Sequence, residues 1–225
     1  STELAKSMVA VANGLGIKCK AQITAMDNPI GSHIGNSLEV IESIDVLKGK
    51  GHLDTRNLVI LQGSALLLMS GVVGSSTEGE ALIGQVLDDG SALTKFHEMC
   101  LQQGVNDEIA HQLCQDPLSV LPLSGQKIDI ISQHSGYVNS IDSMVLAEIA
   151  RKHGAGRFSI EDTIIPEVGF IIKKHIGEKI ESGQCWMEFY HSRQPTDDEI
   201  KQLSRSITVS KDIIDKQSRL IVVVD

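Results

Sequence analysis

The residues best suited to chemistry lie at positions 23–40, ITAMDNPIGSHIGNSLEV. An apolar strand breaks there at Asp27-Asn28-Pro29, and a loop bracketed by Gly31 and Gly35 leads into a helix. Glycines leave the backbone exposed. Such a loop can turn carbonyl oxygens toward a cation, or present N–H groups at the helix start to an anion. A plain strand-to-helix connection has the same pattern, and spacing alone does not separate these readings.

Other candidates carry less. Gly74-Ser75-Ser76-Thr77-Glu78-Gly79 is rich in glycine, but Glu78 and Glu80 would stand beside any bound phosphate, so it reads as a helix cap. The eight histidines (33, 52, 97, 111, 134, 153, 175 and 191) form no H-x-x-x-H pair. Cys19, Cys100, Cys114 and Cys185 are dispersed, with neither a C-x-x-C pair nor zinc-type spacing, and read as reduced thiols. Glu161-Asp162 and Asp197-Asp198-Glu199 read as loop and helix-start charges rather than a glycosidase pair.

The elements that must position the glycine loop follow from periodicity. Ser1 or Thr2 opens a helix with Leu4, Met8 and Val11 or Ala12 on one face, stopped by Gly14. A strand follows between Ile17 and Ala25, with no partner apparent nearby. An open strand edge is unstable alone, so roughly the first hundred residues are expected to be less self-sufficient than the last hundred. The expected consequence is fast amide exchange at 18–25 and slow exchange at 169–174 and 185–190. Helices are expected from Asn36 to about Lys48, from a cap at Asp54 or Thr55 to about Ser70, from Ser75 or Ser76 to Gly90, around Phe96 to Leu101, and from Ile109 to Cys114. Pro117, Pro122 and Gly125 mark a linker, giving domains at 1–117 and 118–225. Beyond it, strands are expected at 128–131, 136–138, 169–174, 185–190 and 220–224. Helices are expected at 143–153 and from Pro195 or Thr196 through Ile200, Leu203 and Ile207. The fold class is α/β.

Composition narrows the function. The chain has 225 residues, 41% of them hydrophobic and 22% charged, enough to bury real cores. A net charge of -9 with only 20 Lys and Arg leaves no basic field for a phosphate backbone, so nucleic acid is not an expected partner. The longest apolar run falls well short of the ~20 residues that span a bilayer, so no membrane role is expected. No signal segment precedes Ser1, which with the reduced thiols implies a cytoplasmic setting. The chain opens on a helix start without Met, as a segment from inside a longer protein would.

The glycine loop resembles the M-D/N-x-P-L-G-x-x-x-G-N-A-L-E-V segment of the thymidine and pyrimidine-nucleoside phosphorylases. Ile30 stands where Leu is usual and Ser37 where Ala is usual. The likeness continues in order through LDDGSAL from Leu87, SGYV from Ser135, HGAGR from His153 (usually L-G-A-G-R) and VGFIIKKHIGEKIESGQ from Val168. The resemblance implies that 1–117 is the carboxy-terminal part of a larger α/β glycosyltransferase-type domain. It also implies that 118–225 is a smaller α+β, carrier-like barrel-sandwich domain.

The chemistry implied is reversible phosphorolysis. Inorganic phosphate, the co-substrate, attacks C1′ of the (deoxy)ribose while the pyrimidine of thymidine or deoxyuridine leaves, and no organic cofactor takes part. The family's phosphate loops, K-x-S-x-G-G and S-G-R-x-L-x-x-T-G-G-T, occur nowhere in this sequence, and its base-binding residues belong to the same preceding half. The expectation is therefore that this chain holds no catalytic or substrate-binding residue, is inactive alone, and requires an amino-terminal half through which the protein dimerises. One feature of some bacterial members maps here: a monovalent cation such as K+, held in part by the main-chain carbonyls of Ile30 and His33 and the Glu42 carboxylate, with the remaining ligands expected from the missing half. Two rival readings stand beside it, a relative acting on AMP, and a carrier module. The latter rests on the turn from Gly177 to Gly183, which is similar to that of biotinyl and lipoyl domains, although Lys173 and Lys174 lack the carrier's setting.

Overall fold

A computed structural model of the chain describes residues 1–121, 123–214 and 218–225. The linker marker Pro122 lies outside the described residues. The order begins α1 (Thr2–Gly14), β1 (Ala21–Thr24), β2 (His33–Ile34), α2 (Asn36–Leu47), α3 (Leu53–Ser70), α4 (Ser76–Asp88), α5 (Ser91–Gln102), α6 (Asp107–Gln115) and α7 (Pro117–Val120). It continues β3 (Lys127–Ile131), β4 (Gly136–Ile141), α8 (Ser143–Lys152), β5 (Gly169–Ile172), β6 (Lys179–Ile180), β7 (Cys185–Tyr190), α9 (Asp197–Arg205), β8 (Ile207–Ser210) and β9 (Leu220–Val224).

Helix starts follow local chemistry. Ser75 accepts from the Glu78 N–H, Asn106 from Glu108, and Asp142 from Met144 and Val145. Thr196 and Glu199 form a reciprocal capping box. At α3 the expected cap, Asp54 or Thr55, is displaced by His52, whose Nδ1 accepts from the Asp54 N–H at 3.2 Å. Pro117, read as linker, opens the short α7, because its missing N–H is harmless at a helix start.

Among the described residues the strands form three sheets. β1 pairs antiparallel with β9, from Ala21 opposite Val224 to Thr24 opposite Leu220. A four-stranded sheet runs β2-β5-β7-β3, and a three-stranded one β6-β4-β8. These last two sheets, with α8 and α9, enclose one apolar core in which Trp186, Phe170, Phe189, Leu146, Ile149 and Leu203 are fully buried. Phe170 and Phe189 stack with ring centroids 4.4 Å apart.

The expectation that the first strand lacks a partner in this chain is overturned. Its partner is the last strand, and pairing at that sequence distance leaves no local trace. Ile207 also changes place. It continues the helical spacing of Ile200 and Leu203, but the chain turns at Ser206 and Ile207 begins β8, opposite Ile141. On α1 the expected inner face is reversed: Val9 is buried, while Leu4, Met8 and Val11 face outward, since the helix rests on the narrow β1–β9 ribbon by one side only.

Two glycines set how closely the loop approaches its neighbour. At Gly35 (φ 125°) an added Cβ would lie 2.3 Å from the Val168 carbonyl oxygen, and at Gly169 it would lie 2.0 Å from that of Ile34. This contact seats β2 against β5. The pairs β1–β9 and β2–β5 thus tie residues before position 117 to residues after it.

Candidate functional site

Residues 26–36 are held from two sides. From one, the Asn28 side-chain oxygen accepts the Ile141 N–H at 2.7 Å, and the Ser143 hydroxyl shares its one proton between the carbonyls of Met26 (3.2 Å) and Asp27 (2.8 Å). Further along, Ile172 N–H donates to the Ser32 carbonyl at 2.7 Å, the Ser32 hydroxyl meets His175 Nε2 at 3.2 Å, and Asn36 donates to the Ala155 carbonyl at 2.8 Å. From the other side comes Arg219, just ahead of β9. It donates to Asp54 Oδ2 through Nε at 3.1 Å and Nη2 at 2.7 Å, and also reaches the carbonyls of Ala25, Asn28 and Pro29. A cavity of about 340 Å³ opens beside this contact, bordered by Asp27, His52, Asp54, Asn139, His175 and Arg219. The His52 and His175 rings face each other there with centroids 4.1 Å apart.

Two of the three proposed ligating residues meet directly. Glu42, 6% exposed, returns from α2 to the loop and accepts from the N–H of Ser32 at 2.7 Å and of His33 at 3.4 Å. The His33 Nδ1 lies 3.8 Å from its Oε1, an electrostatic neighbour rather than a hydrogen bond. Burial raises the Glu42 pKa, but the His33 ring and the two backbone N–H groups outweigh it, so the net shift is downward. The carboxylate stays ionised in a buried place, with neither Lys nor Arg within ion-pair reach among the described residues. Ile30 lies in the same loop, between Pro29, whose carbonyl Arg219 holds, and Gly31, whose Cα stands against Glu42 and Thr55.

Glu42 supplies the one anionic oxygen that a hard cation would need, beside a glycine turn. Among the described residues no group of three or more His, Cys, Asp and Glu side chains could hold a metal, so a softer transition ion has no ligand shell here.

The remaining candidates fall to structural roles. At the glycine-rich stretch, Glu78 accepts the Gly74 N–H at 2.9 Å, occupying the place an anion would take. Asp162 accepts the N–H groups of Phe158 and Ser159 in a turn. Lys173 pairs with Glu188, and all four cysteines are free. Buried His153 and Glu199 form a group with the exposed Arg193 that was not singled out from sequence. Arg193 donates to Glu199 at 2.8 Å and 3.3 Å, and the His153 Nε2 stands 3.5 Å from Glu199. Hydrogen bonds from Arg193, outweighing burial, bring the Glu199 pKa to about 2. Arg219 was missed as well. A lone basic residue before an apolar strand gives no sign of what it will hold.

Comparisons with known proteins agree with this layout. Residues 1–93 match the family described as "Glycosyl transferase family, a/b domain", and residues 137–210 match "Pyrimidine nucleoside phosphorylase C-terminal domain". The two matched stretches follow one another in the chain without overlap. The chain is 34% identical over 211 residues to the pyrimidine-nucleoside phosphorylases of Staphylococcus aureus strains bovine RF122 / ET3-1, USA300 and NCTC 8325, covering 94% of this chain and 48% of each relative. The chain is similar to these pyrimidine-nucleoside phosphorylases along nearly all of its own length, and it spans about half the length of the curated relatives it matches.

Proposed function

We propose that this chain is the carboxy-terminal half of an enzyme that phosphorolyses thymidine and related pyrimidine nucleosides to free base and (deoxy)ribose 1-phosphate. The observation that carries the reading is coverage: the likeness takes in 94% of this chain but only 48% of the relative, with both family descriptions met in order. Inorganic phosphate is the co-substrate and no organic cofactor is needed. Domains at 1–117 and 118–225, a homodimer formed through the amino-terminal half, and a cytoplasmic location complete the proposal.

The transition state develops positive charge at C1′ while phosphate attacks, so catalysis rests on preorganised charge around phosphate and base. The phosphate loops and base-binding residues that supply this charge belong to the other half. The part of residues 26–42 is to hold a K+ with Glu42 and the carbonyls of Ile30 and His33. Once bound, the ion supplies a fixed positive charge that locks the loop. Arg219, Ser143 and the β2–β5 contact keep that loop in register with the second domain.

The test is reconstitution. Purified alone, the chain should turn over no thymidine. Co-expressed with the amino-terminal half of a relative, it should give phosphate-dependent thymine release followed by absorbance. Turnover by the isolated chain at about a thousandth of the reconstituted rate would contradict the assignment of the chemistry to the other half. A reconstituted protein that cleaves AMP but not thymidine would overturn the substrate.

A further inference from the structure

All five N–H donors of Arg219 are used, two on Asp54 and three on the carbonyls of Ala25, Asn28 and Pro29. The two carbonyls between, of Met26 and Asp27, share the single proton of the Ser143 hydroxyl, Asp27 being the nearer at 2.8 Å. Every carbonyl at positions 25–29 therefore lies 2.6–3.2 Å from a donor. The next one along, that of Ile30, has no such donor among the described residues.

Register decides His33. Ser32 accepts from Ile172, and His33 stands opposite Ile171 in an antiparallel pair. Hydrogen-bonded and non-hydrogen-bonded positions alternate in such a pair, so the N–H and C=O of His33 both point away from β5. Its N–H does meet Glu42. Its carbonyl is therefore on the Glu42 side of the strand.

We propose that Arg219 is a positioning residue for the cation loop. By taking the carbonyls of Ala25, Asn28 and Pro29 it directs the turn so that the first carbonyl left over, that of Ile30, falls beside His33 and Glu42. A guanidinium suits this because its planar fork reaches three backbone oxygens and a carboxylate at once, whereas an ammonium has three donors on a mobile stem. The side chain is only 15% exposed, so solvent competes little for these bonds. The inference rests on the cation reading above, and the experiment separates the two.

The chain, co-expressed with the amino-terminal half of a relative so that any ligands from that half are present, is titrated with KCl against NaCl at constant ionic strength, reading the melting temperature and the amide exchange of residues 30–35. Wild type should show a K+-specific rise in melting temperature and slower exchange. Arg219→Ala should raise the K+ midpoint by about tenfold or more, the usual size of effect for groups that orient ligands without touching the ion. Arg219→Lys, which keeps the charge but loses the fork, should restore only part of it. A wild-type chain that responds equally to Na+ and K+ would remove the cation reading and this inference with it. If wild type responds, but Arg219→Ala lowers the melting temperature equally with and without K+ at an unchanged midpoint, Arg219 is structural only and the inference fails alone. Should Arg219→Ala not fold, Arg219→Lys serves in its place, since it keeps the charge but cannot hold the three carbonyls and Asp54 at once. A K+ midpoint raised a few-fold supports the proposal, and an unchanged one overturns it.

Discussion

Replacing His153 by leucine sets a polar group against the core that holds it. The side chain is fully buried, packed edge-on against Phe189 at 4.8 Å, and neither ring nitrogen makes a hydrogen bond among the described residues. An unpaired buried polar group costs about 1–3 kcal/mol. Leucine has similar bulk and leaves nothing unpaired, so His153→Leu should be more stable by about 1 kcal/mol near neutral pH. The pH dependence then has a definite sign. Burial, and secondly the charge of Arg193, lower the His153 pKa against the opposing pull of Glu199. Above the unfolded value of ~6.5 both states are neutral and nothing changes. As pH falls from there toward the lower folded value, the unfolded chain takes up a proton the folded chain refuses, and wild type loses stability. The leucine variant does not, so its advantage should widen between about pH 7.5 and about pH 5.5. His191, lowered by its own burial, is present in both proteins and cancels; Glu199, with a pKa of about 2, stays ionised throughout. Urea unfolding at the two pH values reads the difference. A variant less stable than wild type near neutrality, or a gap that does not move with pH, would refute the argument.

Four further outcomes are expected. Phe189→Ala empties a fully buried stack against Phe170 and should cost about 3–5 kcal/mol in urea unfolding. Gly35→Ala drives a Cβ into the Val168 carbonyl at positive φ and should cost more than about 1 kcal/mol, with faster exchange across β2 and β5. Glu199 contributes stability that is fully present above pH 4.5 and lost as pH falls through about 2; Glu199→Gln should flatten that part of an acid unfolding curve. Deleting residues 220–225 should leave the wild-type protection of Ala21–Thr24 abolished in hydrogen exchange while residues 169–172 stay protected.

The readability of this chain divides by distance. Ser75 and Thr196 announce their helices because a cap and the N–H it accepts lie within three residues. The strands at 128–131, 185–190 and 220–224 are legible as compact apolar runs. What joins β1 to β9, or Arg219 to Pro29, is not, because nothing near Ala21 depends on Leu220. Ile207 misled for a related reason: its spacing suits a helix, and only its place opposite Ile141 makes it a strand residue. At the site, the glycines and Glu42 are legible as a loop and a returning carboxylate. The donors to its backbone oxygens, Arg219, Ser143 and Ile172, come from three separate parts of the chain and had no local sign. The α1 helix shows the converse limit, since a helix apolar on both sides does not say which side it will bury.

The β1–β9 ribbon also sets the order in which the chain can finish folding as it is made. Ala25 and Arg219, whose backbone groups bond next to the ribbon, are 194 residues apart. At ~5–20 residues per second, β1 waits about 10–40 s after leaving the ribosome before its partner exists. The β3–β8 core can close only once Ser210 has been made, near the end of that interval, and until β9 arrives Ile23 lacks its strand partner. A chaperone that reads exposed strand edges therefore has a defined time in which to act, and a defined signal, the arrival of Leu220, at which to let go.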